Sequence, residues 1–573
     1  MTRKKLDGTP VLPGGSIAIV GLECRLPDAD DTTALLDAVL TGRRAFRRIP
    51  PVRVDLAEYY DPDPLVRDAT YSTRAALLEN WCFDRDAFGV SGPEFDGTDP
   101  AHWLALETTA RTLGAAGLPG GTGLPVERTG VFIGSRPAQN GPAAAALRLR
   151  WPYARRVFAD TLTAAGITPR MRHEILVAAA SRFLAPLPDV TARSLPGGSA
   201  TGLVSAICDR FGLGGGGLTT DAGDASSLAA ITSACLALAA GQLDAAIACG
   251  VDLSIDPYEL VALAKSGRLA RADMRIYDAS PTGFLPGEGC GAVLLMRTAD
   301  AKAKDLPVHA EIVGWGSASG GAGTSGGPAD PEALFPDAEI RMLAMRRAHE
   351  MAGIEPADVQ LVEGSGTGIG PADDAELAAL ATLRDDARNA AVLGSVSANI
   401  GNTGAAAGVA GLIKAVLAIT NGVLPPSTGV LNPHPMLRDA AGALRLPGAP
   451  EPWPAGTRHA ALTSICEGTA FHLVLRGEPG DEVAVRTSRA TGRYAAAADH
   501  PFAYLLRAPN QAAVTKLLYR IAAIAPWLSD AQMQDLAVHL ARSAGEQGDA
   551  DGNEIRIALT AASQEQLAEH ARA

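Results

Sequence analysis

The stretch that decides the fold is Gly217–Gly250, which reads GLTTDAGDASSLAAITSACLALAAGQLDAAIACG. A short β-prone run breaks at Ala222–Asp224 and gives way to an alanine-rich segment with apolar residues at helical spacing. That segment ends at Gly241, and a second apolar run, Ala245–Cys249, follows it. The pattern predicts a strand, a tight turn, a buried helix and a second strand.

This arrangement places one side chain, that of Asp224, at the N-terminus of a helix. Free N–H groups and the helix dipole favour an anion or a developing oxyanion at such a position. The same pattern also fits a buried strand–helix–strand unit in which the aspartate caps the helix. Cys235 lies inside the helical segment, where it is interpreted as a small core residue.

The stretch resembles the nucleophile elbow of the β-ketoacyl synthases, the condensing domains of fatty-acid and polyketide synthases. In that family a cysteine lies three residues after an aspartate and precedes a serine run and a helix. Asp221 matches the aspartate and Ser226–Leu228 matches the run, but the nucleophile position holds Asp224. The resemblance therefore implies an elbow without its thiol.

The motifs that carry the family's two histidines are altered in the same way. Val362–Gly368 reads VEGSGTG, which places Ser365 at the first histidine position. Gly394–Thr403 reads GSVSANIGNT, which places Asn402 at the second histidine and Ser397 at the supporting lysine. Two imidazoles and a lysine are thus replaced by groups that do not act as acid or base near neutral pH.

Other parts of these motifs are kept. Asp373 and Glu376 match acidic positions of the family. The gate near the C-terminal end reads TSICEGT, with Cys466 at the family's phenylalanine and Glu467 at a glycine. The resemblance implies a degenerate pocket formed by Asp224, Ser365, Thr367, Asn402 and Cys466.

Strands alternate with helices along most of the chain, which indicates a layered α/β fold. The resemblance implies the thiolase-type fold, two similar halves in five αβαβα layers, although periodicity alone does not reveal a duplication. The expected organisation is a tail (1–15), a first half (16–274) with an insertion (135–202), a second half (275–477) and a C-terminal part (478–573). That last part resembles the small α/β linker subdomain between ketosynthase and acyltransferase domains.

Three segments resemble the iterative synthases of enediyne polyenes and polyunsaturated fatty acids: the arginine-rich insertion, DPYELVALAKSGRLA at Asp256–Ala270, and YDASPTGFLPGEGCG from Tyr277. YYDPDP at Tyr59–Pro64 resembles type I ketosynthase domains more generally. The basic insertion could receive the phosphopantetheine arm of an acyl carrier protein or an acidic partner, or it could be a solvated helix face.

Composition excludes several classes of function. Hydrophobic residues make up 47% of the 573 residues and aromatic residues only 5%, so the core is built from small aliphatic side chains. A net charge of −13 argues against non-specific nucleic-acid binding and suits a cytoplasmic protein. Seven cysteines without a spacing pattern are interpreted as reduced core thiols, so we expect neither disulfides, nor a metal, nor a cofactor. No signal peptide and no uninterrupted apolar run of about 18 residues is expected.

Two main functions remain open, beside a binding module that holds an acyl carrier protein or a polyene chain. The first is a catalytically inactive ketosynthase homologue that acts as a structural or chain-length-factor-like partner in polyketide biosynthesis. It would form a homodimer, or a heterodimer with an active ketosynthase, through the strand Leu218–Asp221 or its neighbour. Ala229, Ala230, Ala234 and Ala237 would allow close packing at the contact. The second is an enzyme with changed chemistry that uses Asp224 to hydrolyse, cyclise or dehydrate a carrier-bound acyl chain.

Overall fold

The structure is a computed structural model that describes residues 15–136, 140–320, 338–439, 442–466, 468–482, 501–546 and 555–573. Glu467, most of the predicted N-terminal tail and part of the predicted linker subdomain lie outside the described residues.

The strands are β1 (Ile17–Arg25), β2 (Phe46–Arg48), β3 (Arg74–Ala76), β4 (Thr129–Ser135), β5 (Gly217–Thr220), β6 (Ala245–Asp252), β7 (Gly289–Arg297), β8 (Ala310–Ser319), β9 (Leu361–Glu363), β10 (Ala391–Gly394), β11 (Val423–Leu424), β12 (Leu444–Arg445), β13 (Glu451–Pro452), β14 (His459–Cys466), β15 (Thr469–Arg476), β16 (Phe502–Ala508) and β17 (Ile555–Ala561).

The helices are α1 (Thr32–Leu40), α2 (Leu56–Tyr59), α3 (Gly92–Asp96), α4 (Pro100–Ala115), α5 (Asn140–Leu149), α6 (Trp151–Ala164), α7 (Pro169–Leu184), α8 (Ser194–Gly197), α9 (Ala200–Phe211), α10 (Ser226–Ala239), α11 (Pro257–Lys265), α12 (Thr298–Ala303), α13 (Ala338–Ala352), α14 (Gly370–Leu383), α15 (Ser397–Ile400), α16 (Ala407–Asn421), α17 (Pro435–Asp439), α18 (Gln511–Ile524), α19 (Asp530–Glu546) and α20 (Gln564–Arg572).

The two large groups of strands repeat one topology. The first group has the order β5-β4-β6-β7-β1 and the second has the order β10-β9-β14-β15-β8. In each group the first three strands of this order are parallel, and the last two pairings are antiparallel. This match of order and direction is the duplication that the resemblance implies.

Two buried helices lie between the sheets. α10 packs on β4 and β6, while α16 contacts strands of both sheets and also touches α10. α4 and α9 cover the outer face of the first sheet, and α13 covers that of the second, with α14 beside it. The predicted αβαβα fold is therefore confirmed.

The repeats divide later in the chain than expected. β7 pairs with β1 and β6, so it belongs to the first sheet although it follows Arg275. The second repeat starts with β8, which also pairs with β1 over a few residues and joins the two sheets at their edges. The structural boundary therefore falls between Arg297 and Ala310 and not near Arg275.

One helical stretch among the described residues, Gly404–Asn421, is long and apolar enough to cross a membrane. This corrects the expectation that no such run exists. The stretch is 78% buried inside the protein, where α16 forms part of the central layer. The helix is apolar around most of its circumference because it packs against both sheets.

The alanines of α10 do not form a free surface. Ala229, Ala230 and Ala234 are buried within the protomer, where α10 packs on its own first sheet. Small residues here allow close packing on the strands beneath the helix, whereas Ala237 is only partly buried. The expected dimer contact stays a prediction.

The seven cysteines form no disulfide. Cys235 is buried in the core, as predicted, and so are Cys24, Cys249 and Cys290. Cys82, however, is exposed, so the interpretation of all seven as core thiols is wrong for that residue.

The segment predicted as an insertion is helical from α5 to α8. Of the residues in α6 and α7 only Trp151 is buried, so this pair of helices stands on the surface. At the other end of the chain, β16 and β17 pair and are covered by α18, α19 and α20 around a separate hydrophobic cluster. The strand and helix pattern predicted for this subdomain is thus present.

Candidate functional site

The turn between β5 and α10 is held by its own side chains. The Gly223 N–H donates to Asp221 Oδ1 (3.0 Å), and the Ala222 N–H donates to Ser226 Oγ (2.9 Å). Ser226 Oγ in turn donates to the Gly223 carbonyl (2.6 Å). Gly223 has a φ of 54°, which glycine adopts without strain. Asp221 and Ser226 therefore set the shape of the elbow.

The elbow brings Asp224 to the start of α10. The helix begins at Ser226 and its N-cap is Ala225, which provides no side-chain cap. The interpretation of Asp224 as a helix cap is therefore wrong. A Cβ on Gly134 would overlap the backbone of Ser226 and Ser227, so glycine in β4 permits the helix to start directly on the sheet.

The Asp224 carboxylate is engaged by the second repeat. Asn402 Nδ2 donates to Asp224 Oδ2 at 2.8 Å, and Ser464 Oγ donates to the Asp224 carbonyl at 3.0 Å. Asn402 is fixed by its backbone contacts with Leu285 and Gly287 and by the Gly404 N–H, which donates to Asn402 Oδ1 at 2.9 Å. The nucleophile position and the second histidine position thus meet, as the resemblance implies.

The loop that carries Ser365 and Thr367 is anchored by the two acidic residues kept from the family motif. The Ser365 N–H donates to Glu376 Oε1 (2.9 Å), and Thr367 Oγ1 donates to Asp373 Oδ1 (2.9 Å). Burial raises the pKa of Asp373 to about 7, although the Tyr277 N–H and Thr367 partly offset it. Asp373 and Glu376 therefore position the loop and do not face the Asp224 carboxylate.

These groups enclose a small cavity. Its volume is about 40 Å³, which accommodates a few water molecules. Asp224, Ser365, Thr367, Ser397 and Asn402 all line it. None of its lining residues in the described part of the chain is a histidine or a cysteine.

Cys466 lies beside the cavity, at the elbow. A Cβ on Gly223 would overlap the Cys466 Sγ, so the thiol packs directly on the turn before Asp224. The structure therefore brings four of the five predicted pocket residues into the cavity wall and places the fifth against the elbow.

Sequence reasoning missed an ion pair beside the cavity. Lys414 Nζ lies 2.7 Å from Glu363 Oε2, and both side chains are almost fully buried. Burial raises the pKa of Glu363, while the nearby Lys414 opposes that rise. A lone lysine within the apolar run of α16 was the available signal, because a buried charge requires a partner.

A second charged cluster borders the site. Arg136 follows β4 directly and contacts Asp252 (2.7 Å), Ser254 (2.7 Å) and Glu259 (2.5 Å). Burial opposes the charge of Arg136, but Asp252, Glu259 and the nearby Asp224 raise its pKa. Asp252 also accepts the Ala405 N–H (2.9 Å), which links this cluster to the Asn402 loop.

The arrangement has a defined chemical capacity. It offers a carboxylate, an amide and several hydroxyls around a water-sized space, and one wall residue, Glu363, is paired with the buried Lys414. A carboxylate is a poor acyl acceptor, because an acyl anhydride hydrolyses readily, and an amide does not transfer protons as imidazole does.

Comparison with solved structures gives the same fold. The structure superposes on a ketosynthase from module 6 of the bacillaene synthase from Bacillus subtilis with a TM-score of 0.65, at 24% identity over 97% of this chain and 84% of that chain. An oxazolomycin ketosynthase domain from Streptomyces albus gives a TM-score of 0.67, at 24% identity over 97% and 88%.

Curated relatives of the chain are much longer synthases. The chain is 31% identical over 523 residues to a phenolphthiocerol/phthiocerol polyketide synthase of Mycobacterium tuberculosis, covering 90% of this chain and 25% of that protein. It is 33% identical over 481 residues to a PKS-NRPS hybrid synthetase from Aspergillus niger, covering 81% and 24%. The chain thus spans about a quarter of the length of these relatives.

Family models match both repeats. Residues 15–301 match the β-ketoacyl synthase N-terminal domain, and residues 309–430 match the C-terminal domain. The gap between the two matches falls where the repeats divide in the structure. The chain belongs to the β-ketoacyl synthase family.

Proposed function

We propose that this chain is a ketosynthase homologue that does not catalyse condensation and acts as a structural, chain-length-factor-like partner in polyketide biosynthesis. The observation that carries the proposal is the 2.8 Å hydrogen bond between Asn402 and Asp224, at the positions of an imidazole and a thiol. Condensation needs a thiolate to accept the acyl chain and imidazoles to stabilise the enolate, and these groups are replaced.

The size of the cavity supports the same proposal. Pockets that hold small-molecule ligands usually measure about 300 to 1,000 Å³. A cavity of about 40 Å³ is too small for an acyl chain.

The partner role is supported by the edge of the first sheet. Among the described strands β5 pairs with β4 only, and Leu218 on it is 41% exposed. An unpaired edge is an aggregation hazard unless another chain covers it. We propose that a second ketosynthase protomer covers β5, either a copy of this chain or an active homologue.

Two finer proposals rest on the sequence resemblance. The resemblance of the insertion and its neighbours favours a place in an enediyne-type or polyene-type pathway. The arginine-rich surface of α6 and α7 suits an acidic acyl carrier protein, whose phosphopantetheine arm would be a ligand and not a resident cofactor.

A second candidate function is hydrolysis, cyclisation or dehydration of a carrier-bound acyl chain by Asp224. It is favoured by the water-sized space that Asp224, Ser365 and Asn402 border. For this second function, however, the described cavity wall provides no imidazole to carry the proton onward.

Acylation and decarboxylation assays test the proposal. Purified protein is incubated with acetyl- and malonyl-carrier protein, and intact mass and carbon dioxide release are measured. We expect no acyl adduct and no carbon dioxide above background. Asp224→Cys alone should not restore condensation, because both imidazoles are still missing.

An adduct on the wild-type protein, or carbon dioxide release above background, would contradict the proposal. Release of free acid from the carrier that Asp224→Asn abolishes would favour the second candidate instead.

A further inference from the structure

A surface groove of about 620 Å³ shares no residue with the Asp224 cavity. Its walls come from three stretches with a family resemblance: the YYDPDP loop with the residues after it, the end of α11 with the loop that follows, and Thr282 of the stretch from Tyr277. Leu65, Tyr71 and Leu269 give it an apolar lining. Its volume lies in the range typical of small-molecule sites.

Polar contacts hold the groove open in a defined shape. Tyr71 is almost fully buried, and its hydroxyl donates to the Leu269 carbonyl at 3.0 Å. The Arg271 guanidinium lies 5.1 Å from the centre of the Tyr71 ring and donates to the Pro62 carbonyl at 2.9 Å. Lys265 Nζ donates to the Pro64 carbonyl at 3.0 Å. The two cations therefore bridge the walls.

The charge of the groove is positive. Asp273 is the acidic residue of its lining, and it is paired with Arg44 at 2.5 Å and with Arg275 at 3.4 Å. Lys265 and Arg271 have no carboxylate partner among the described residues. Lys265 also donates to the Val66 carbonyl, which leaves one of its three N–H groups, and Arg271 uses one of its five. Donors thus remain at the rim for an anion.

We propose that this groove binds a small amphipathic anion, an apolar chain with a carboxylate or phosphate head. The chain would lie on Leu65, Tyr71 and Leu269, and the head would accept hydrogen bonds from Lys265 and Arg271. Apolar burial and a charge-assisted contact would both contribute, so a ligand with only one of these features binds more weakly. The proposal does not depend on the chemistry of Asp224.

Calorimetric titration of the full chain tests the ligand class. The probes are octanoate, octyl phosphate, octan-1-ol, which lacks the charge, and acetate, which lacks the chain. We expect octanoate or octyl phosphate to bind about tenfold more tightly than octan-1-ol and acetate. The tighter of the two anions identifies the head group.

Variants test the location. Ala272 is an exposed lining residue, so Ala272→Trp should fill the groove and abolish binding of the anion. Lys265→Gln and Arg271→Gln should each weaken it about tenfold. The matched controls are Ala178→Trp and Lys516→Gln, exposed residues outside the groove, which should bind as the wild type does.

Thermal melting by circular dichroism identifies any variant that fails to fold. If Ala272→Trp does not fold, the binding measured for Lys265→Gln decides the outcome. The proposal is overturned if the wild type binds no anionic probe at millimolar concentration. It is also overturned if octan-1-ol binds as tightly as octanoate, or if folded Ala272→Trp binds as the wild type does.

Discussion

Asp224 and Asn402 are joined by a 2.8 Å hydrogen bond at the positions where the family carries a thiol and an imidazole. Around them the residues that shape the site remain: Asp221 and Ser226 hold the elbow, and Asp373 holds the Ser365 loop. Residues that position the backbone are thus retained where those expected to react are replaced.

A buried histidine pair behind the cavity predicts a pH dependence of stability. The rings of His349 and His472 lie 5.5 Å apart, and His472 Nδ1 is 2.9 Å from Thr463 Oγ1 in the cavity wall. Burial lowers the pKa of His349 to about 4, while an unfolded chain has a histidine pKa of about 6.5. Between these values the unfolded state binds more protons, so stability falls as the pH is lowered through this window.

His349→Asn should remove the part of this pH dependence of stability that comes from His349. Lowering the pH from 7 to 5 should cost the wild type about 2 kcal/mol more of its unfolding free energy than it costs the variant. Urea denaturation at both pH values measures the difference. His570→Asn, a partly exposed position near the end of α20, is the control and should follow the wild type. Equal losses in wild type and His349→Asn would show that His349 is not held neutral by burial.

At the scale of elements, β5 is the exposed edge of an otherwise covered sheet, and it predicts an obligate dimer. Leu218→Asp places a charge on this edge, and desolvating it at an interface is costly. We therefore expect a dimer for the wild type and a monomer for the variant at micromolar concentration, measured by light scattering.

Leu505→Asp is the matched control for this prediction. Leu505 is 40% exposed on β16 of the C-terminal subdomain, against 41% for Leu218, so the two substitutions change equally exposed strand residues. The control should remain dimeric. A monomeric wild type, or dissociation of both variants alike, would refute a dimer through β5.

At the scale of the whole molecule, arginines join the first repeat to the C-terminal subdomain. Arg47 is fully buried and pairs with Asp28 and Glu79, and Asp28 also accepts from Ser529 ahead of α19. Burial raises the pKa of Asp28, and Arg47 opposes that rise. Arg43 pairs with Asp535 at 2.6 Å, but the Asp535 side chain is 45% exposed.

Arg47→Ala should therefore destabilise the protein far more than Arg43→Ala. Removing one partner of a buried pair costs about 3–5 kcal/mol, whereas an exposed pair contributes about 0–1 kcal/mol. Urea denaturation followed by tryptophan fluorescence measures both variants, with Arg43→Ala as the control. Similar losses in the two variants would mean that the buried network does not hold the subdomain.

The sequence by itself determined the local structure and the replacement of the residues that the family motifs carry. The strand, turn and helix around Asp224 were predictable because apolar periodicity and turn residues act over a few neighbours. The replacements at Ser365 and Asn402 were visible because the flanking motifs persist. Four of the five predicted pocket residues line the cavity for that reason.

Only the tertiary structure decided the contacts that no sequence motif marks. The Lys414–Glu363 pair joins two different elements of the second repeat, and Ser529 ahead of α19 donates to Asp28 in the first repeat. The return of β7 to the first sheet and the burial of the α10 alanines depend in the same way on strand pairing across long loops. Local preferences do not encode such contacts, because their free energy appears only when the whole chain closes around a common core.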